Sequence, residues 1–404
     1  MAVIAVIGAG AAGIFATLHL SQKHTVYLID RNDIAGRKLA ATGSGRGNLT
    51  NLHADADQYH GKPKRSTAEV LKQYPPEQLR RDLDNLGIFT YATDDGWVYP
   101  ISNSAANVRD IFVSHLEQRN VKLLLNETVT GLDPDNFGVT LTFASQRPPL
   151  KADTVLLTIG GAAAPQLGAD VSLYKAVIKS GHLVHPLRPA LAPIITSEAP
   201  IKKLLGVRLD VTLSLFDHQA RLGRNTGNLI FTEWGINGPA AMNLSHLIDD
   251  NPHRQFEVEI DFIPGQSKAM RTLFQQHANT SFPVQSVLKS CLPYKVVRFL
   301  LDKLNLPASI AVGQLTHQQS DKLFALLTAF CLPVTGTRDY TYAQLSAGGV
   351  DLSEVDPTSM QSLRLPQLYF AGEVLNVVGP CGGYNLHWAF ATGKIAAEHL
   401  NQTA

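Results

Sequence analysis

The first thirty residues carry a pattern that few folds accept. Residues 3–7 are a run of apolar residues rich in Val and Ile, which predicts a buried parallel strand. The segment GAGAAG follows at 8–13, and apolar residues then recur at helical spacing up to Leu20. Residues 25–29 predict a second strand, which ends at Asp30. This order of strand, glycine turn, helix, strand and acid predicts a doubly wound α/β unit.

The apolar start of the chain has two other interpretations, a signal peptide and a membrane span. Residues 1–20 contain no Lys, Arg, Asp or Glu, and the first basic residue is Lys23. The basic segment that precedes the apolar core of a signal peptide is therefore missing. The glycines at 8, 10 and 13 would weaken a spanning helix at its centre. A phosphate-binding turn accounts for the segment better, and we expect no membrane association.

Each glycine of the turn has a physical role in holding a dinucleotide. Gly8 allows the tight turn out of the strand, Gly10 allows a pyrophosphate to approach the backbone, and Gly13 lets the helix pack closely on the strand. The helix N-terminus offers free N–H groups to the phosphates. Asp30 is placed to accept hydrogen bonds from a ribose. The motif predicts a dinucleotide cradle, but it does not separate FAD from NAD(P).

Composition excludes several other classes of protein. The chain has 404 residues, enough for two or three domains, and its 35 basic residues nearly balance its 34 acidic ones. This balance provides no basic field, so we expect no nucleic acid partner. The three cysteines, Cys291, Cys331 and Cys381, are too far apart for a disulfide framework or a zinc site, and we expect no metal. A cytoplasmic location is the simplest inference.

A glycine-rich basic loop follows the second strand. The segment GRKLAATGSGRGNLTN at 36–51 can present backbone N–H groups and positive charge to an anion. The residues expected to reach a pyrophosphate are Arg37 and Lys38, and those expected to lie against an isoalloxazine ring are Ser44, Gly45 and Asn48. A solvated basic loop is the alternative. The segment lies directly after Asp30, where a bound FAD would extend, and this position favours a cofactor-binding loop over a solvated one.

The last forty residues contain a second glycine turn before a helix. Residues 368–371 predict a short strand, and Gly372-Glu373 follows with a carboxylate that could hold a ribityl or ribose hydroxyl. Gly383 precedes a predicted helix, whose N-terminal dipole would stabilise negative charge on a reduced flavin. Asn385 and Leu386 in the first turn are further expected contacts. The alternative is an ordinary strand–loop–helix unit.

Five segments of the chain resemble one family. The chain is similar to the BaiN-type bile-acid reductase and aminoacetone-oxidase-like flavoproteins, often described as NAD(P)/FAD-dependent oxidoreductases. The segments are GAGAAG at 8–13, GRKLAATGSGRGNLTN at 36–51, DGWVYPISNSAANV at 95–108, AGGVDLSEVDPTSM at 347–360 and FAGEVLNVVGPCGGYNLHWAFATG at 370–393. The family often has Cys where Gly47 stands, and Asp-x-Asp-Gly where residues 376–379 read NVVG. The resemblance therefore implies the cofactor but not the substrate.

The resemblance implies an α/β fold, namely a glutathione-reductase-class FAD-binding Rossmann domain with a long insertion. It also implies that the backbone near Val129 pairs with the adenine. The pattern of apolar and turn residues agrees with an insertion. It is typical of β-strands after Pro186 and of helices after Ser267. We predict an FAD-binding domain at 1–187 and 336–404, with a β-barrel-like part at 188–265 and a helical part at 266–335 between its segments.

The predicted cofactor contacts come from both ends of the chain. Gly161 joins them because it lies in a glycine turn after the strand predicted at 154–159. Together with the residues of the 36–51 loop, the full set is Gly8, Gly10, Ala12, Gly13, Asp30, Arg31, Val129, Gly161, Gly372, Glu373, Gly383, Asn385 and Leu386.

No nucleophile, metal cluster or carboxylate pair with convincing spacing accompanies these motifs. We therefore expect the flavin to be the reactive group of an FAD-dependent oxidoreductase that transfers a hydride, or two electrons, to or from a small organic substrate. Arg46 and Tyr384 are weak candidates to orient that substrate, since both residue types are common structural donors. Cys381 is expected to fill space beside the ring, with FAD bound non-covalently.

Two other functions stay open at the level of sequence. One is a non-catalytic flavin protein, such as a redox sensor or an RNA-associated protein that uses FAD structurally. The other is a dehydrogenase that uses only NAD(P). The chain carries no second strand–glycine–helix fingerprint, because Pro165 interrupts the glycine-rich segment 160–169. NAD(P)H, if it is the reductant, should therefore bind transiently at the flavin face. The oligomeric state is open.

Overall fold

A computed structural model describes residues 1–196 and 199–403. The chain divides into two compact units. The first consists of Met1–Pro189 and Gln344–Ala404, and the second of Ala190–Ala343. The first unit is thus built from both ends of the chain.

The strands vary in length from two residues to twelve. They are β1 Val3–Ile7, β2 Thr25–Ile29, β3 Thr50–Asn51, β4 His60–Gly61, β5 Thr90–Ala92, β6 Trp97–Pro100, β7 Val121–Leu124, β8 Val129–Asp135, β9 Gly138–Phe143, β10 Leu150–Ala152, β11 Thr154–Leu157, β12 Val184–Ala190, β13 Ile194–Thr196, β14 Arg208–Asp217, β15 Ala220–Phe231, β16 Gly235–Asn237, β17 Phe256–Asp261, β18 Phe330–Thr337, β19 Leu345–Val350, β20 Leu368–Phe370 and β21 Val377–Val378.

The α-helices range from one turn to twenty residues. They are α1 Ala11–His19, α2 Lys64–Gln73, α3 Pro76–Asn85, α4 Ala105–Glu117, α5 Tyr174–Lys179, α6 Pro239–Met242, α7 Ser267–Gln276, α8 Val284–Leu288, α9 Tyr294–Lys303, α10 His317–Thr328 and α11 Tyr384–Thr403. Among the described helices, none combines the length and the apolar character needed to cross a membrane.

A five-stranded parallel sheet lies at the centre of the first unit. Its strand order is β20-β11-β1-β2-β7. The strands β1 and β11 are almost wholly buried, which explains their continuous apolar sequences. Helix α1 follows β1 and packs against α11. The carboxyl ends of β1, β2 and β11 meet at one edge of this sheet, which is where Rossmann folds bind their ligands.

Smaller sheets accompany the parallel one in the first unit. Strands β8, β9 and β10 form one sheet, and β3, β6 and β5 form another. In the second of these, Tyr91 on β5 lies opposite Tyr99 on β6, and Asn51 on β3 lies opposite Trp97. One continuous hydrophobic core joins the parallel sheet to α1, α4 and α11.

The second unit contains a closed six-stranded barrel with the order β13-β16-β15-β14-β17-β18. Strands β14 and β17 pair antiparallel from Thr212 with Asp261 to Asp217 with Phe256. Apolar side chains on β17 alternate with polar ones, as a strand with one buried face requires. The barrel and helices α7–α10 share one hydrophobic core.

The insertion returns to the barrel after its helices. The sequence predicts a helical part up to residue 335, but α10 ends at Thr328 and β18 begins at Phe330. Strand β18 pairs with both β13 and β17 and thereby closes the barrel. Its inward residues Phe330, Leu332 and Val334 are buried. The boundary was misplaced because this alternation is short and follows directly on the apolar residues of α10.

Candidate cofactor site

The glycine turn after β1 has the shape that a phosphate cradle needs. Gly8 has a φ of +106°, and a side chain there would collide with the carbonyl oxygen of Thr158. A side chain at Gly13 would collide with the carbonyl oxygen of Gly8, so α1 lies close to β1. A Cβ at Gly10, in contrast, would meet no atom within 4 Å. The turn is therefore tight towards the sheet and open at the point where a pyrophosphate would approach.

Asp30 fastens this turn to the end of β2. Its Oδ2 accepts a hydrogen bond from the backbone N–H of Ala9 at 2.6 Å. Its Oδ1 accepts from the backbone and side-chain N–H groups of Asn32, at 2.8 and 3.0 Å. A carboxylate has about four lone-pair sites, so these three bonds leave one site, on Oδ2, for a ribose hydroxyl. Asp30 thus has a structural contact in addition to its expected ligand contact.

A cleft of about 80 Å³ lies beside this carboxylate. Its lining includes Gly8, Asp30, Arg31 and Val129, which are four of the predicted contacts from three different strand ends. The guanidinium of Arg31 pairs with the carboxylate of Asp170 at 3.1 Å. The fold thus brings the residues expected around an adenosine into one concave surface.

The two ends of the chain meet through Lys38 and Glu373. The ammonium of Lys38 lies 2.8 Å from Oε2 of Glu373, while Oε1 of Glu373 accepts a hydrogen bond from the backbone N–H of Ser346 at 2.8 Å. A Cβ at Gly161 would lie 2.7 Å from the Glu373 carboxylate, so this glycine lies directly against it. Arg37 pairs with Asp33 at 2.8 Å, and its Nη1 lies 3.4 Å from Oδ1 of Asn32.

Residues 43–46 of the basic loop are exposed. Ser44 has a φ of +56°, and Gly45 has a φ of +86° with open space around its Cα. Asn48 is buried. With its amide oriented to suit its neighbours, Asn48 donates to the carbonyl oxygen of Thr50 at 3.1 Å and accepts from the N–H of Gly383 at 3.3 Å. This residue therefore joins the loop to the second glycine turn.

The second glycine turn leads directly into α11. A side chain at Gly383 would collide with the backbone of Thr50, so the turn packs closely on β3. The Asn385 side chain holds the preceding loop, because it accepts from the N–H of Gly379 at 2.7 Å and donates to the carbonyl of Gly379 at 2.8 Å. Leu386 is half-buried and packs on the core. Ala12 and Gly372 lie in contact between α1 and this region.

Two titratable side chains near this turn are uncharged at neutral pH. Burial raises the pKa of the Cys381 thiol to about 12. Burial lowers the pKa of His387 to about 4. His387 hydrogen bonds to the hydroxyl of Thr50 at 2.9 Å and to the carbonyl of Tyr74 at 3.0 Å, which assigns the ring proton to Nε2. His387 is thus a packing residue with both ring nitrogens satisfied.

The two weak candidates for orienting a substrate have different surroundings. Tyr384 is 8 % exposed and packs edge-on against Tyr59. Arg46 is exposed, and its guanidinium lies 4.1 Å from the centre of the Tyr99 ring. Its Nη2 donates to the Tyr91 hydroxyl at 3.2 Å and to Oδ1 of Asn103 at 3.3 Å.

Sequence reasoning missed several of these partners. Ser346, Tyr91, Tyr99 and Asn103 were not predicted, although all lie in or near the site. The alternation of aromatic residues in the segment 89–101 is the signal that could have found the tyrosines, because alternate residues of a strand share one face.

The donor set fits FAD. The turn at Gly10 is open to a pyrophosphate, a carboxylate lies at the end of β2, and a glycine turn precedes the N-terminus of the long helix α11. A family profile described as HI0933-like protein Rossmann domain matches residues 2–399. The chain belongs to this HI0933-like family. The resemblance and the Rossmann fold with its inserted barrel, both predicted from sequence, are thereby confirmed.

Curated relatives of this HI0933-like chain match along its whole length. It is 32% identical over 403 residues to a 3-dehydro-bile acid delta(4,6)-reductase of Clostridium scindens, covering 98% of both chains. It is 28% identical over 396 residues to a ribosomal RNA dihydrouridine synthase of Escherichia coli, covering 98% of this chain and 97% of that one. The protein is an FAD-dependent oxidoreductase, as the sequence predicts.

Solved structures share the fold at low sequence identity. A 3-ketosteroid-delta4-(5alpha)-dehydrogenase from Rhodococcus jostii RHA1 has a TM-score of 0.51 and 14% identity, with 98% of this chain and 96% of that one covered. A 3-ketosteroid delta1-dehydrogenase from Sterolibacterium denitrificans has a TM-score of 0.50 and 10% identity, with both chains fully covered. At these identities the likeness shows the fold alone.

Proposed function

We propose that this protein reduces a carbon–carbon double bond conjugated to a carbonyl group in a small organic substrate. The observation that carries the proposal is that its relatives, although named for different substrates, share this chemistry. The C. scindens relative is named for delta(4,6) reduction of a 3-dehydro, that is a 3-oxo, bile acid. A dihydrouridine synthase is named for uridine with its ring double bond saturated, and that bond is also conjugated to a carbonyl.

FAD, when bound, would supply two electrons as a hydride equivalent. The residues that would hold it are those of the Gly8–Gly13 turn with Asp30, the loop at 36–48, the Lys38–Glu373 pair and the turn before α11. We propose non-covalent binding, because the protonated Cys381 thiol is a poor nucleophile.

The substrate carbonyl needs a hydrogen-bond donor, since hydride addition to the conjugated carbon places negative charge on the carbonyl oxygen. Arg46 supports this role better than Tyr384. It is exposed, keeps N–H groups beyond those given to Tyr91 and Asn103, and has its guanidinium over the Tyr99 ring. Tyr384 is buried, and we assign it a packing role against Tyr59.

We further propose that NAD(P)H is the reductant and binds transiently. In the described part of residues 190–343, the β structure is an antiparallel barrel and includes no parallel βαβ unit that would form a second nucleotide domain. The balanced net reaction consumes NAD(P)H, one proton and the double bond, and yields NAD(P)⁺ and the saturated carbonyl compound. We expect a dissociation constant for NAD(P)H of at least about 0.1 mM, or roughly −5.5 kcal/mol.

The test is an anaerobic reduction of the FAD-loaded protein. NADH or NADPH is added with 2-cyclohexen-1-one or 4-androstene-3,17-dione, and mass spectrometry is used to detect the gain of two hydrogens. Saturated product with either compound supports the proposal. A flavin that is reduced by dithionite but passes no electrons to any conjugated ketone contradicts it, and tight NAD(P)H saturation in the low micromolar range contradicts transient binding.

A second candidate is reduction of uridine in ribosomal RNA. It is favoured by the E. coli relative and by a second one from Haemophilus influenzae, which is 26% identical over 403 residues. The near-neutral charge of the chain favours the small molecule instead, because RNA binding relies on phosphate contacts from Lys and Arg. Dihydrouridine formed in deproteinised ribosomal RNA, with no activity on conjugated ketones, would favour this candidate.

A further inference from the structure

The hydroxyl of Tyr91 belongs to a polar network at the end of the basic loop. It donates a hydrogen bond to Oδ1 of Asn103 at 2.7 Å and accepts one from Nη2 of Arg46 at 3.2 Å. Arg46 also donates to Asn103, from Nε at 3.4 Å and from Nη2 at 3.3 Å. Arg46 and Asn103 are exposed and Tyr91 is half-buried, so a bound molecule can reach the network. Three separate segments of the first unit thus hold one phenol beside one guanidinium.

The phenol ring is held by its neighbour across the hairpin. Tyr91 on β5 lies opposite Tyr99 on β6, and their rings stack with centroids 6.0 Å apart. The Arg46 guanidinium lies 4.1 Å from the centre of the Tyr99 ring, so Tyr99 supports both members of the pair. Tyr99 itself is 5 % exposed, and burial raises the pKa of its hydroxyl. Tyr99 is therefore a support, whereas Tyr91 presents its hydroxyl near solvent.

Reduction of a conjugated double bond needs a proton as well as a hydride. Hydride addition at the β-carbon leaves an enolate, and a proton must then reach the α-carbon. The proposed function assigns the carbonyl oxygen to Arg46 but assigns no source for this proton. The α-carbon is bonded to the carbonyl carbon. A carbonyl oxygen held by Arg46 therefore brings the α-carbon close to the hydroxyl of Tyr91, which Arg46 already contacts.

We propose that Tyr91 donates the proton to the α-carbon. The assignment rests on the proposed function and adds a catalytic residue to the same site. The O–H bond of Tyr91 breaks, the electron pair of the enolate forms the new C–H bond, and the carbonyl group is restored. The tyrosinate left behind faces the Arg46 guanidinium, which stabilises its charge, and it regains a proton from water. One proton from solvent is consumed for each double bond, as the net reaction requires.

Other acids near the second glycine turn are poorer donors. Burial raises the pKa of the Cys381 thiol to about 12, and burial also raises the pKa of Tyr384. The hydroxyl of Tyr59 belongs to a fully buried side chain and donates to the carbonyl of Tyr384 at 2.8 Å. Tyr91 differs from both tyrosines in being half-buried and bonded to a guanidinium.

Both signs of charge occur around this hairpin, and a cation is in contact with Tyr91. Arg80 is a second cation, and its Nε donates to Oγ1 of Thr90 at 3.1 Å, on the opposite face of β5 from Tyr91. Asp94 and Asp95 are exposed in the turn after β5. Because solvent screens exposed carboxylates, they oppose the tyrosinate weakly, whereas Arg46 stabilises it by direct contact.

The first experiment follows the oxidation of reduced flavin by an enone. FAD-loaded protein is reduced with dithionite and mixed anaerobically with 2-cyclohexen-1-one at several concentrations. Tyr91→Phe should lower the limiting rate of flavin reoxidation at least about 100-fold, because a general acid contributes roughly 10²–10⁴-fold. The half-saturating concentration should stay nearly unchanged, because Arg46 still binds the carbonyl oxygen. Flavin absorbance and melting temperature verify that the variant is folded.

Tyr27→Phe is the matched control for this experiment. Tyr27 lies on β2 of the central sheet, and its hydroxyl also contacts a cation, since Lys122 donates to it at 3.0 Å. Removing this hydroxyl should leave the limiting rate at the wild-type value.

A second variant separates a proton donor from a structural tyrosine. Asn103→Gly removes the hydrogen bonds that Asn103 accepts from Arg46 and Tyr91 but keeps the phenol. Glycine also tolerates the φ of +49° at this position. The limiting rate should fall much less in Asn103→Gly than in Tyr91→Phe. An equal fall in the two variants would mean that the network acts by positioning Arg46, and it overturns the assignment.

Deuterium exchange tests the same proton transfer without electron transfer. The group that protonates the α-carbon also removes a proton from it in the reverse direction. FAD-loaded wild type should therefore accelerate deuterium uptake by cyclohexanone in D₂O over buffer alone, as read by mass spectrometry, and Tyr91→Phe should not.

The two experiments distinguish this inference from the proposed function. Exchange that is lost in Tyr91→Phe, with no enone reduced by the wild type, supports the role of Tyr91 and refutes the proposed function. Equal rates of flavin reoxidation in wild type and Tyr91→Phe overturn the role of Tyr91 and leave the proposed function standing. Neither reduction nor exchange in the wild type overturns both.

Discussion

Replacing Asp30 should weaken FAD binding for two physical reasons. Its carboxylate accepts hydrogen bonds from Ala9 at 2.6 Å and from Asn32 at 2.8 Å, and we expect it to accept one from a ribose hydroxyl as well. Hydrogen bonds to a charged group contribute roughly 1.5–3 kcal/mol each. Loss of one such bond to the ligand corresponds to about a tenfold to hundredfold weaker affinity, because each 1.4 kcal/mol is a factor of about ten.

The assay is a titration of apoprotein with FAD, followed by quenching of flavin fluorescence. Asp30→Ala should raise the dissociation constant at least about tenfold. Asp33→Ala is the matched control, because Asp33 is an exposed carboxylate three residues away that pairs with Arg37. Its removal should change the affinity for FAD by less than about threefold, since exposed ion pairs contribute little.

Competing ligands separate the two roles of Asp30. ADP contains the adenosine ribose and the pyrophosphate, whereas riboflavin contains neither. If Asp30 contacts the ribose, Asp30→Ala should weaken ADP binding and leave riboflavin binding unchanged. Equal FAD affinity in wild type and Asp30→Ala would refute the reasoning altogether, and a similar loss for ADP and riboflavin would refute the ribose contact.

Three further predictions concern the same unit. Lys38→Met and Glu373→Gln should each weaken FAD binding by up to about tenfold, and the double variant should lose less than the two single losses combined, because the side chains pair at 2.8 Å; strictly additive losses would contradict their coupling at the site. Cys381→Ser should keep FAD bound and reducible, and acid precipitation of the wild type should leave all yellow colour in the supernatant; colour in the pellet would mean a covalent link. Burial lowers the pKa of His387 to about 4, so the unfolded chain takes up a proton there between pH 6.5 and 4 and the folded one does not. The free energy of unfolding should therefore fall as pH drops through this window, by up to about 3 kcal/mol from this residue, and His387→Gln should show a shallower pH dependence in urea titrations than the wild type.

The glycine turn could be predicted because its information is local. The strand at 3–7, the spacing of Gly8, Gly10 and Gly13, and Asp30 after the next strand all lie within thirty residues, and each follows from backbone geometry. The parallel strands β11 and β20 were also predictable as apolar runs before glycines. Their order in the sheet was not, because strand pairing depends on residues far apart in the chain.

Contacts across the site were harder to predict for the same reason. Lys38 and Glu373 are separated by 335 positions, and neither sequence context indicates the other. The hairpin of β5 and β6 was missed because strands of three and four residues give too short an alternation to distinguish from a loop. Asp30 shows a third limit of prediction from sequence. The motif predicts its contact with the ligand, but not the hydrogen bond to Ala9 by which it also stabilises the glycine turn.

The order β20-β11-β1-β2-β7 has a consequence for synthesis of the chain on the ribosome. Strand β11 ends at Leu157, but its partner β20 begins at Leu368. At about 5–20 residues per second, the intervening stretch of about 210 residues takes roughly 10–40 s to make. During that time the edge of β11 that faces β20 has no partner strand, although β1 can already pair with the other edge. Residues 190–343, in contrast, are contiguous and can fold as soon as they emerge. We therefore expect nascent chains stalled before residue 368 to be cleaved by protease within residues 1–189 and to be protected there once β20 has left the exit tunnel.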